Sequence, residues 1–248
     1  GHATVLVKDK FEGGSVVGVV AQKHQAVGLG VLAAETVALG RDLLLVEHTG
    51  VKAEFGQLSC ARSVELIANA QSRGLPVTAD VAAHQLFLTD TLVDGFDSLY
   101  HVDPPLRSEQ DRLGLIEGVR SGVISAICSD HQPHEAAAKA APFAAAEPGM
   151  STFATYLPLS YQLVRQGVLT VAEWVRAVSL NPARILGLEA GSVRVGDDAN
   201  VTVFHPDMNW TLDQDSLLSL GANTPYLGTT IEGRVLATLK DGRISFRL

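Results

Sequence analysis

From Ala33 to Gly187 the sequence alternates between two hydrophobic periods, one helical and one strand-like, and this alternation constrains the fold more than any other feature. Helical stretches followed by short apolar strands imply an α/β domain whose sheet is parallel and covered by helices. A helix over Ala34 to His48 carries Leu39, Leu43 and Val46 on one face and stops at Gly50. Val51 to Leu58 then reads as a strand, Ser59 through Val64 and Ile67 to Gly74 as a helix, and Pro76 to Val81 as a buried strand. Ser108, followed by Glu109 and Asp111, predicts the N-cap of a helix to Arg120, and Val123 to Cys128 is a third apolar strand. Thr170 with Glu173 forms a capping box that opens a helix through Trp174 and Val178, closing before Pro182.

After Gly187 the pattern changes. Val193, Val195, Val201, Val203 and Phe204, then Ile231 to Leu239 and Arg243 to Phe246, are β-rich segments punctuated by glycine. The chain therefore divides into residues 1–32, with one candidate strand at Thr4 to Val7 and an unassigned stretch around Gly13-Gly14, a partial (β/α) barrel over 33–187, and a β-rich unit over 188–248. Gly1-His2 reads as a cleavage scar from a purification tag. Three strands fall short of a closed eight-stranded barrel, which takes about 250 residues by itself. Either the chain is a fragment that associates through exposed barrel edges, or residues outside it supply the other strands, or the sheet is smaller and open.

Composition narrows the function classes. The 46% of hydrophobic residues suffices for a core, and 27 acidic against 19 basic residues give a formal charge of -8, which repels phosphate backbones and anionic lipid. No nucleic acid and no membrane surface is expected as partner, and no apolar run reaches the roughly 20 residues of a membrane span. Cys60 and Cys128 lack Cys-x-x-Cys spacing and no signal peptide precedes them, so two reduced thiols in a cytoplasmic protein are expected.

The chemistry-bearing stretch is Ser129-Asp130-His131-Gln132-Pro133-His134, directly after the third strand. The carboxyl end of a strand is where α/β folds collect catalytic groups, and one carboxylate with two imidazoles suits a divalent metal or proton transfer. An ordinary turn capped by Asp130, with solvated histidines, accounts for the same residues. His24, His48, His101 and His205 stand singly and carry no ligand pattern.

Ser129 to His134 resembles the T-D-H-A-P-H motif of the dihydroorotases, zinc enzymes of the amidohydrolase superfamily that interconvert carbamoyl aspartate and dihydroorotate. Further segments match in the same order: Ser63 to Ile67, His84 to Asp90, Asp103-Pro104-Pro105-Leu106-Arg107, Asn181 to Gly187, and Asn223 to Gly228. The resemblance runs from about Ala33 to Leu248 and implies the carboxyl-terminal part of an amidohydrolase-type TIM barrel plus its small β-rich unit. The three strands then correspond to the sixth, seventh and eighth of that barrel. It places Asp130 at the metal-bound general base, His134 at a substrate-binding histidine, and His84 and Asp103 at further substrate positions; Glu147 to Ser151 falls on a loop near the substrate.

The departures point the other way. No His-x-His pair occurs, and the sixth-strand histidine ligand is replaced by Gln57, an amide that binds zinc poorly. The family's E-V-T-P-H-H becomes Asp80-Val81-Ala82-Ala83-His84-Gln85, and its substrate-contacting asparagine becomes Asp103, an anion facing a dianionic substrate. These losses imply a degenerate site with no cofactor. The expectation is a non-catalytic dihydroorotase-like subunit that combines with an aspartate carbamoyltransferase catalytic chain in an oligomer. The alternative is an active zinc dihydroorotase in which Asp130 serves as general base and His134 binds substrate.

Overall fold

The computed structural model describes residues 4–7, 17–21, 30–188 and 193–248, with side chains from residue 34 onward; Gly1-His2, Gly13-Gly14 and His24 lie outside the described residues. Five strands form one sheet in the order β1 (Thr4–Val7), β2 (Val17–Ala21), β3 (Lys52–Gly56), β4 (Val77–Ala82), β5 (Ala126–Cys128). β1 runs antiparallel to β2, and every later pair is parallel. Two of these strands precede residue 33: Thr4–Val7, as expected, and Val17–Ala21, which the Gly/Val-rich composition of its surroundings conceals.

Parallel pairing requires crossovers, and helices supply them. α1 (Gly30–Thr49) joins β2 to β3, α2 (Ala61–Ser72) joins β3 to β4, and α3 (Glu109–Ser121) lies between β4 and β5. The start and stop signals act as expected. Ser108 Oγ accepts the Asp111 N–H at 3.2 Å, and α3 ends on Gly122 in the left-handed region. The main core lies between sheet and helices, where Phe55, Ala79, Val81 and Ile127 from the strands meet Leu39, Ile67 and Leu115 from the helices.

Three expectations change. The helix opened by the Thr170–Glu173 box does not close before Pro182: α4 (Val171–Val175) passes through a π-turn over Arg176–Leu180 into α5 (Asn181–Ile185), with Pro182 in its first turn, where its missing N–H costs nothing. Val193 and Val195 lie in an exposed turn and not in a strand. The strand predicted from Val51 ends at Gly56, because Gln57 adopts φ 59 and breaks the pleat. A helix that the sequence pattern does not announce, α6 (Phe153–Arg165), has Pro158 inside it and reaches the sheet through Tyr156, whose hydroxyl donates to the Ile127 carbonyl at 2.7 Å.

The β-rich unit is an antiparallel sheet of β6 (Val201–Thr211), β7 (Thr230–Lys240) and β8 (Arg243–Arg247). Asp241 and Gly242, both at positive φ, make the two-residue hairpin turn between the last two strands. Phe204 on β6 joins Tyr161 and Trp174 in an aromatic cluster that ties this sheet to α6 and α4. Among the described residues no helix is long and apolar enough to cross a membrane.

Candidate functional site

β3, β4 and β5 present one face to the helices and the other to the interior of the curved sheet. The second face is acidic: Glu54 on β3, Asp80 on β4, and Asp130 just past the end of β5. The two residues that follow strand ends, Gln57 and Asp130, both adopt the left-handed conformation that side chains other than glycine seldom take (φ 59 and 46). Those turns bring them together. Gln57 Nε2 donates to Asp130 Oδ1 at 2.5 Å, and Gln132 Nε2 donates to the same oxygen at 2.7 Å. The Gln57 backbone N–H donates to Asp80 Oδ1 at 2.8 Å, which locks the turn to β4.

Burial dominates the electrostatics. The Glu54 carboxyl, which accepts from the Thr78 hydroxyl, is pushed up to about 8 by loss of water and by the neighbouring Asp80. Asp80 is raised by burial, against the lowering effect of the Gln57 N–H, with Asp130 adding to the rise. The Cys128 thiol is held well above its usual range by burial and by these two aspartates, so it is an inert neutral group.

The two histidines of the motif separate in role. His131 Nδ1 accepts the backbone N–H groups of Thr152 and Phe153, at 3.0 and 3.2 Å, so it caps the start of α6; its ring stacks on Phe153 at 3.8 Å. An imidazole used in this way, with Nε2 beside Ser219 Oγ at 3.3 Å, serves the helix and not a metal. The reading of solvated histidines beside a capping Asp130 thus changes: His131 is the group that accepts the helix N–H groups, and Asp130 accepts from Gln57 and Gln132. His134 is fixed by its backbone N–H to Asn223 Oδ1 (2.7 Å) and by Nε2 to the Pro148 carbonyl (3.0 Å). Asn223 also donates to the carbonyls of Gln132 and Gly149, so it organises the whole loop.

His84 is buried, 1% exposed, in a 3₁₀ turn after β4, and among the described residues neither ring nitrogen has a hydrogen-bond partner; a ring so enclosed offers little surface to a diffusing substrate. Burial lowers it to about 4, so it is neutral. Asp103 precedes a cis Asp103–Pro104 bond, and Gln85, which stands where the family has imidazole, donates to the Pro104 carbonyl at 2.8 Å. Gln85 therefore staples this loop.

A buried ion pair has no local signature in the sequence. Glu35 on α1 accepts from the Ser59 N–H (3.2 Å), the Ser59 hydroxyl and the Ser63 hydroxyl (2.5 Å), and pairs with Arg107 Nη2 at 3.4 Å; Arg107 Nε donates to Ser59 Oγ at 2.9 Å. The arginine of Asp103 to Arg107 is thus structural.

The donor set does not fit a zinc centre. Among the described residues no group of three or more His, Cys, Asp or Glu side chains is arranged to hold a metal ion. At the position where the family has a histidine ligand, the Gln57 side chain turns an N–H toward Asp130, a group that repels a cation and satisfies the carboxylate.

A mostly parallel sheet with polar groups at the carboxyl ends of its strands and a small β unit appended is the arrangement of part of a (β/α) barrel. The chain belongs to the amidohydrolase family, whose sequence pattern matches residues 14–245. A dihydroorotase-like protein from Pseudomonas aeruginosa is 52% identical over 212 residues, covering 86% of this chain and 50% of that protein. A dihydroorotase from Syntrophus aciditrophicus is 42% identical over 214 residues, again 86% of this chain and 50% of that protein. These relatives fit the dihydroorotase resemblance, and the chain spans about half the length of the curated relatives it matches. The solved L-hydantoinase from Arthrobacter aurescens superposes with a TM-score of 0.82 at 25% identity, covering 93% of this chain and 57% of its own.

Proposed function

We propose that the chain is part of a catalytically inactive, dihydroorotase-like cytoplasmic subunit of pyrimidine biosynthesis, whose role is to hold an aspartate carbamoyltransferase catalytic chain in a larger oligomer. One observation carries the inactive half of this reading: the Asp130 carboxylate is held by two side-chain amides, Gln57 and Gln132, where a working member of the family holds it on a metal. A carboxylate so engaged neither ligates a cation nor takes a proton from a bound hydroxide. The scaffold role is supported by contrast, because the core, the caps and the Glu35–Arg107 pair are intact around the altered site. The partner itself comes from the dihydroorotase resemblance and the dihydroorotase-like relatives.

The test is elemental analysis and dihydroorotate hydrolysis on one purified sample, followed by mixing with aspartate carbamoyltransferase. Absence of zinc and of turnover, with a rise in particle mass and transcarbamoylase activity on mixing, is the expected result. Stoichiometric zinc with turnover overturns the inactive reading; no association on mixing overturns the scaffold role.

A further inference from the structure

Outside the Asp130 site, the loop after β5 is tied to the segment Ser98–His101 by Lys139, by the Gly149 N–H donating to the His101 carbonyl at 2.8 Å, and by Phe143, whose ring lies 4.6 Å from that of His101. Lys139 Nζ donates to the carbonyls of Ser98 (3.1 Å), His101 (3.2 Å) and Glu147 (2.6 Å), and Ser98 Oγ donates back to the Lys139 carbonyl at 2.6 Å. The residue is 9% exposed. Among the described residues no carboxylate makes an ion pair with it; Asp97 and Glu147 are the acids whose fields reach it, and His101 is the titratable neighbour. Carbonyl dipoles solvate a buried ammonium but leave its charge uncompensated, whereas buried charges are ordinarily paired.

The compensation has a place to go. A cavity of about 300 Å³ is lined by Lys139 and His134, with apolar walls from Leu99, Ala136, Ala140 and Ala222. Its polar groups, Ser98 and Asn223, are already hydrogen-bonded to the surrounding loop, and the lining contains no carboxylate. A cavity at the small end of the range for ligand sites, with mostly apolar walls and one cation among them, selects by charge and shape. We propose that this cavity binds a small organic anion, a carboxylate on a short apolar body, with Lys139 supplying the charge that recognises it. The two longer bonds of Lys139, to Ser98 and His101, are those an entering carboxylate replaces, so occupancy releases two of the contacts between the loop and that segment while the Gly149 N–H stays on the His101 carbonyl. The lining shares His134 with the motif that carries Asp130 but includes neither Asp130 nor the two amides, Gln57 and Gln132, that hold it.

Butyrate and succinate, with butyramide as the neutral control, are titrated into the protein by calorimetry and ligand-observed NMR. Saturable binding of a carboxylate in the millimolar range or tighter, with none of butyramide, is expected. Lys139→Met should weaken it more than about tenfold, the loss of a buried charge partner. Ala222→Leu fills the chamber and leaves the lysine in place; with far-UV circular dichroism unchanged, it should abolish binding, which keeps the test decisive where the lysine variant fails to fold. No saturation up to roughly 10 mM, equal binding of butyramide, or wild-type affinity in Ala222→Leu overturns the proposal.

Discussion

The protein buries carboxylates in two places and treats them in opposite ways. Glu35 sits behind the sheet with an arginine, two serine hydroxyls and a backbone N–H around it. On the inner face the Thr78 hydroxyl donates to Glu54, the Gln57 N–H to Asp80, and the Gln57 and Gln132 amides to Asp130. Burying an anion costs several kcal/mol unless its geometry and partners compensate. The first cluster is compensated by a cation; the second is relieved by protonation, with Glu54 raised to about 8. The difference teaches that the same fold can bury a carboxylate either with a counter-charge or with a proton. The scaffold keeps its counter-charge, while the functional face settles its burden by holding Glu54 neutral.

The largest effect should come from breaking the compensated cluster. Arg107→Met keeps much of the side-chain volume and strands Glu35 without its cation, which should cost about 3 to 5 kcal/mol, read as a fall in the urea midpoint. The double variant Glu35→Leu with Arg107→Met should recover most of that loss, since removing both partners leaves no buried charge. A single variant as stable as wild type would mean that the two clusters do not differ.

On the inner face the prediction is a pH dependence of definite sign. Glu54 has an ordinary carboxyl value of 4.5 when unfolded and about 8 when folded, so between these values the folded state binds the extra proton. Its contribution is fully present below pH 4.5 and is lost as pH rises toward 8. Glu54→Gln should therefore match wild type near pH 4.5 and exceed it by a few kcal/mol at pH 8.5, since each tenfold difference in proton affinity between the folded and unfolded states is worth about 1.4 kcal/mol. Parallel stability curves for the two proteins would show that Glu54 is ionised without cost.

His84 provides the opposite slope. Its folded value of about 4 lies below the ordinary 6.5, so its contribution is present above pH 6.5 and is lost as pH falls through 4, by about 3 kcal/mol at most. His84→Phe should remove that acid loss. Because this window overlaps that of Glu54, the wild-type curve partly cancels, and the wild-type minus variant differences are what separate them.

The scaffold is legible in the sequence because period, caps and turn chemistry are local. Ser108, the Thr170–Glu173 box and the glycines after each helix act within a turn or two of where they stand. What local signals miss is long-range. The Glu35–Arg107 pair spans 72 positions, and Gln57 meets Asp130 across 73. The resemblance marks Gln57 as a lost ligand but not that its amide closes on Asp130, a contact made by two left-handed turns that no periodicity announces. His131 reads as a ligand or a solvated side chain, because its distance in sequence from the α6 N-terminus hides its capping role. His84 reads as a substrate residue because the motif carries it, and only burial shows it enclosed.

The smallest effect, and the most direct test of how the inner face tolerates charge, is at Gln57. Gln57→Ala removes one of the two amides on Asp130 and should cost about 1 to 1.5 kcal/mol, the low end for a hydrogen bond to a charged group because the site is half-buried. Gln57→Lys puts an ammonium within reach of Asp130 and Asp80 without changing the left-handed backbone cost, since lysine and glutamine bear it alike. If added positive charge relieves the inner face as Arg107 relieves Glu35, the lysine variant should be at least as stable as wild type at pH 8, with a gain of at most about 1 kcal/mol. Urea midpoints for the three proteins at pH 8 make the comparison. A lysine variant as weak as the alanine one would mean that the amide's geometry, and not its partial charge, is what Asp130 requires.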